Sequence, residues 1–127
     1  MNTYKKIING TVNKFKQEMV EFCNDFDFSH LMPELAEQMS QKLKESLAEA
    51  GKAGYSDYIE SFDCDKPTIS KDGHIMRKKG KVSKSYLTCF GEITIHRSLY
   101  QADRGGKSFV PLEEHWGMQG QYATVDV

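Results

Sequence analysis

The spacing of apolar residues changes its period once in this chain, at Cys64-Asp65-Lys66-Pro67, and that change limits what it can fold into. Before it, apolar residues fall at Ile8, Val12, Phe15, Met19, Phe22 and Phe26, in alternating steps of four and three. Such steps draw one apolar seam along an α-helix. After it, apolar and polar residues alternate, as in Glu92-Ile93-Thr94-Ile95-His96. Alternation is the period of a half-buried strand. Pro67 also disfavours helix at the residue before it. A helical front and a stranded back predict an α+β fold. The helical region is placed at residues 1–65, the antiparallel β-unit at 66–118 and a frayed tail at 119–127.

In the helical region the first helix should break at Asp25-Phe26-Asp27-Phe28. Ser29 reads as an N-cap, and Pro33 suits the first turn of a second helix that carries Leu35, Met39, Leu43, Leu47 and Ala50. Gly51, with Gly54 just beyond, is expected to stop that helix. Tyr55, Tyr58, Ile59 and Phe62 then outline a short third helix. Two amphipathic helices joined by a short break should fold back as a hairpin. The alternative use of the Ile8–Phe26 seam is a homo-oligomer through a short coiled coil, in a protein-interaction module whose β-unit has no function. That seam spans under three heptads, which favours the intramolecular hairpin.

In the β-unit, His74–Lys79 and Lys81–Lys84 flank Gly80 and read as a first β-pair. Tyr86–Phe90 and Glu92–His96 flank Gly91 and read as a clearer hairpin. Ser108-Phe109-Val110 is a third extended run that stops at Pro111. Arg104-Gly105-Gly106-Lys107 is a flexible basic loop. Pro111-Leu112-Glu113-Glu114 opens a short helix with acids in its first turn.

The net charge of −1 conceals a division. Residues 1–65 carry 7 Lys/Arg against 12 Asp/Glu, residues 66–107 carry 10 against 3, and residues 108–127 carry 3 acids alone. A basic middle on an acidic body points to a local polyanion contact. Arg77, Lys78, Lys79, Lys81 and Lys84 are the candidates for phosphate contact, with Arg97, Arg104 and Lys107 extending the patch if the strands bring them to one face. From composition alone, a solvated charged strand face is the competing reading.

Several classes are disfavoured. No apolar run reaches the length of a membrane span, and the N-terminus lacks the apolar core of a signal peptide, so a cytoplasmic location is expected. Cys23, Cys64 and Cys89 lack metal-ligand spacing and read as reduced thiols, with Cys23 and Cys89 buried. His30, His74, His96 and His115 share no ligand spacing and read as surface or edge residues. No nucleophile–base pair, phosphate loop or metal cluster stands out, so no catalytic residue, metal, cofactor or small-molecule substrate is assigned.

One ordered set of residues resembles a known family. Leu87-Thr88, then Gly91-Glu92-Ile93-Thr94-Ile95, Arg97, Tyr100, Gly106-Lys107, Phe109 and Pro111-Leu112-Glu113-Glu114 resemble the end of the N-terminal region of bacterial insertion-sequence transposases of the ISKra4 type and their ISLre2-like relatives. The resemblance covers residues 66–118, and the helical half matches in character only. It implies a region that contacts transposon-end DNA or organises the transposase assembly. The family's catalytic domain, with three acids holding two metal ions on an RNase H-like fold, would lie beyond Val127. The chain then reads as a truncated remnant without catalytic activity. Many members carry a Cys-x-x-Cys in the loop after the matching tyrosine; Ala102 and Gly105 stand at those positions, so no zinc is expected there.

Overall fold

Helix α1 spans Thr3–Asn24 and helix α2 spans Pro33–Glu60 in the computed structural model, which describes residues 3–126. The chain divides into two units, one ending at Asp57 and the other beginning at Tyr58.

In the first unit α1 and α2 run antiparallel. Lys42 Nζ reaches Glu18 at 3.2 Å, and Thr11, earlier in α1, meets Gly54, later in α2. Between the helices, Asp27 Oδ1 accepts the backbone N–H and the hydroxyl of Ser29 at 2.8 and 2.5 Å. That Asx-turn keeps Ser29 in the loop, so it does not cap α2, which Pro33 opens.

The expected stop at Gly51 is absent, and with it the separate third helix: α2 continues through Gly51 and Gly54 to Glu60. Neither glycine takes the positive φ that a helix-ending cap uses. Each costs about 1 kcal/mol relative to alanine inside a helix, which the surrounding alanines and the Lys52–Glu49 pair at 3.1 Å help offset. Gly54 serves close approach instead. A Cβ there would lie 2.2 Å from Thr11 Oγ1, and one at Gly10 would lie 2.9 Å from Asp57 Oδ2. The first unit buries little beyond Ser46, Ala50 and Gly54, and leaves Ile8, Val12, Leu31 and Leu47 exposed.

The second unit is a four-stranded antiparallel sheet in the order β1-β2-β3-β4. Its strands are β1 (Thr68–Lys71), β2 (His74–Thr88), β3 (Gly91–Ala102) and β4 (Ser108–Phe109), followed by helix α3 (Pro111–Trp116). Asp72 and Gly73, both at positive φ, make the two-residue turn from β1 to β2. The pairing expected across Gly80 is therefore replaced by one long strand, β2, with an irregularity at Gly80. A single glycine cannot close an antiparallel hairpin, whereas Asp-Gly can. The hairpin around Gly91 is present: Cys89 and Phe90 form its turn, and Thr88 pairs with Gly91. Cys89 is exposed there rather than buried.

The last turn of α2 belongs with the sheet. Ile59 is buried, and Glu60 Oε1 accepts the backbone N–H of His96 at 2.8 Å. Asp63 accepts both the N–H and the hydroxyl of Ser98, at 2.9 and 2.7 Å. These two carboxylates cover part of the edge of β3 that β4 leaves open. On the opposite edge, the tail is not frayed: the Leu87 N–H donates to Tyr122 O at 2.9 Å, and Thr124 N–H to Leu87 O at 3.0 Å.

Candidate nucleic-acid interface

The basic run of β2 is placed by a β-bulge. Lys78 pairs with Tyr100 and Gly80 pairs with Leu99, so Lys79 is an extra residue without a partner across the ladder. Gly80 has φ +127°, a conformation that other residues rarely adopt, and this fixes the bulge at that position. Beyond it, Val82, Lys84 and Tyr86 pair with Arg97, Ile95 and Ile93 and share a face with them, while Lys81, Ser83 and Ser85 share the other with Ser98, His96 and Thr94.

The structure therefore separates the eight cations that the sequence groups together. Arg97 is a correction: only 7 % exposed, it is buried under α3 and unavailable to a polyanion. Its guanidinium donates to Glu113 Oε1 at 2.6 Å and to Tyr86 Oη at 3.2 Å. Lys84, half-buried, donates to the same Glu113 oxygen at 3.2 Å. Arg77 pairs with Asp103 at 3.2 Å on the surface, and Lys81 lies 3.9 Å from Asp63. Among the described residues Lys78, Lys79 and Lys107 make no ion pair, and Lys79 and Lys107 are exposed. The backbone of Arg104 lies in the 3₁₀ turn Asp103–Gly105; its side chain falls outside the described residues.

Glu113 is the hinge of the buried group. Tyr86 Oη donates to it at 2.5 Å, beside the Arg97 and Lys84 donors. Burial acts to raise its carboxyl, but the hydrogen bonds from Tyr86 and Lys84 and the charge of Arg97 win and hold it below the usual carboxylate range. Burial, then the bond to Glu113, pushes the Tyr86 phenol far above its ordinary value. Trp116 packs edge-on against Tyr86, with ring centroids 4.8 Å apart. The cluster clamps α3 to the sheet. Reading Glu113 as a first-turn acid missed this, because its partners lie 16 and more residues back in the chain.

Tyr100 has a similar structural place, wholly buried, with its hydroxyl donating to the carbonyl of Lys66. Arg97, Tyr100, Leu112 and Glu113, which contribute to the resemblance described above, are thus framework residues of the β-unit. Ser83 Oγ lies 2.7 Å from His96 Nδ1 across the exposed face, a pair that register alone would have shown had the strand bounds been known. Among the described residues no group of three His, Cys, Asp or Glu is placed to hold a metal, and no helix is long and apolar enough to cross a membrane. No family model, no curated protein and no solved structure matches the chain.

Proposed function

We propose that this chain acts as a non-catalytic, DNA-contacting N-terminal region of a transposase-like protein, with phosphate contact made by the bulged stretch of β2. The observation that carries this reading is Lys79. The bulge removes it from the strand pairing, it is exposed, and it has no ion pair among the described residues. Lys78 and Lys107 are likewise without ion pairs among the described residues, while Arg77 pairs with the exposed Asp103 and the exposed Lys81 lies 3.9 Å from the buried side chain of Asp63. Cations held this way gain free energy from a polyanion by displacing its condensed counterions, without reading base sequence. The excess of 10 Lys/Arg over 3 Asp/Glu in residues 66–107 points the same way, and so does the resemblance to insertion-sequence transposases.

The test is fluorescence anisotropy with a generic DNA duplex over a salt series. Replacing Lys78, Lys79 and Lys107 by alanine removes about three phosphate contacts, so the log–log slope of affinity against salt should flatten by about 3. Arg97→Met should leave that slope unchanged, because Arg97 is turned to Glu113. Absence of binding at low salt, or an unchanged slope in the triple variant, would overturn the reading. A second reading, self-association through the helical unit, is favoured by the apolar side chains that unit leaves exposed.

A further inference from the structure

The register across the bulge decides which side chains follow the basic run on one face of the sheet. Lys78 pairs with Tyr100, Lys81 with Ser98 and Ser83 with His96, so these three residues of β2 stand on consecutive rungs of the same face. Each rung is two residues of β3 from the next, about 7 Å. Lys81, Ser83 and His96 are exposed there. Two cations thus lead to a serine–histidine pair.

The backbone N–H of His96 donates to Glu60 Oε1, away from β2. The rung is therefore of the non-hydrogen-bonded kind, at which facing side chains stand closest. Ser83 Oγ lies 2.7 Å from His96 Nδ1. When Nδ1 of a neutral imidazole accepts, the serine proton is spent on it. When the imidazole takes a proton from water, Nδ1–H donates to Oγ, and the serine O–H turns outward beside Nε2–H. Charging converts a closed pair into two outward donors and one positive charge. Imidazole is the side chain that ordinarily makes this change between pH 8 and pH 5. The charged groups bonded to the pair or next to it are Glu60, Asp63, Lys81 and Glu92. Glu60 is bonded to the His96 N–H, Asp63 has both oxygens on Ser98, and Glu92, two rungs further along β3, accepts from the Tyr122 hydroxyl at 2.8 Å.

We infer, resting on the DNA-contacting role proposed above, that the Ser83–His96 pair is a further phosphate contact, closed when His96 is neutral and open when it is charged. It prolongs the row of Lys78 and Lys81 by one rung and makes the grip on a polyanion tighten as pH falls. A phosphate oxygen fits this chemistry because it accepts from both outward donors and meets the positive charge.

The test is fluorescence anisotropy of the full chain with a generic DNA duplex, as one salt series at pH 8 and another at pH 5.5. The log–log slope should be steeper by about 1 at pH 5.5, one phosphate contact more. His96→Gln should abolish that increment and leave the slope at pH 8 unchanged. His74→Gln, at the β1 end of the same face, should keep it. Ser83→Ala should keep it too, but weaken binding about fivefold at pH 5.5 and not at pH 8. Tryptophan fluorescence in urea checks that each variant folds. Equal slopes at the two pH values would overturn the inference while the slope at pH 8 still supports the DNA-contacting role. So would an increment that survives His96→Gln or is lost in His74→Gln, or a Ser83→Ala effect that is the same at both pH values. No binding at pH 8 and low salt would overturn that role and the inference with it.

Discussion

Removing Glu113 should damage the β-unit far more than removing its partner Arg97. The pair lies 2.6 Å apart, with side chains 9 % and 13 % exposed. Glu113→Gln takes away the carboxylate that faces both Arg97 and Lys84. Breaking a buried ion pair from one side costs about 3–5 kcal/mol. The amide oxygen still accepts from Tyr86, and the half-buried Lys84 can turn to water, so the lower end, about 3 kcal/mol, applies. Arg97→Met leaves Glu113 its bonds from Tyr86 and Lys84. It also removes Arg97 Nε, which is buried with no hydrogen-bond partner among the described residues. An unsatisfied buried donor costs about 1–3 kcal/mol, so its loss offsets much of the broken pair and leaves a net cost of about 1 kcal/mol. The two variants then differ by about 2 kcal/mol, which separates their urea midpoints by about 1 M for a unit of this size. Trp116, the single tryptophan, packs edge-on against Tyr86 and reports the transition by fluorescence. The acid limb gives a second readout. Glu113 titrates below its ordinary 4.5, so its stabilisation is complete above that value and is lost as pH falls through the depressed one. Glu113→Gln should lack that loss. Equal costs for the two variants, or an acid limb that Glu113→Gln does not change, would refute the reasoning.

The other expectations concern packing and alkaline pH. Gly54→Ala should destabilise the helical unit by about 2 kcal/mol, since its Cβ would meet Thr11 Oγ1 at 2.2 Å, and adding Thr11→Ala should recover most of that in thermal unfolding. A single variant as stable as the wild type would mean that the helices part without cost. Tyr86 and Tyr100 are wholly buried and hold their phenols neutral well above the ordinary value of 10. A raised value means stability is intact below pH 10 and falls above it, by about 1.4 kcal/mol per pH unit for each phenol that ionises only on unfolding. Ultraviolet titration should find two tyrosines ionising only with loss of structure; gradual ionisation of all six with the fold intact would contradict this.

What the sequence made legible were the periods, and what it hid were the partners. The helical period of α1, the Gly91 hairpin and the Pro111 helix start are local patterns, and the structure has each of them, though Ile8 and Val12 of the α1 seam stay exposed and Phe26 lies beyond the helix end. Glycine misled twice, because one residue type answers several physical needs. At Gly54 the need is contact, and the companion signal was Gly10, a second small residue on the opposing helix. At Gly80 the need is a bulge, and the true turn was written directly after β1 as Asp72-Gly73. The charge pattern failed differently. Periodicity gives the face of a residue but not what covers that face, so Arg97 and Lys84 looked like surface cations until α3 was laid over them. A net local charge therefore overstates an interface by every cation that folds onto a distant carboxylate. The bulge acts the other way: it takes Lys79 out of register and leaves it outside the pairing. The polyanion contact proposed above therefore rests on that one inserted residue rather than on the length of the basic run.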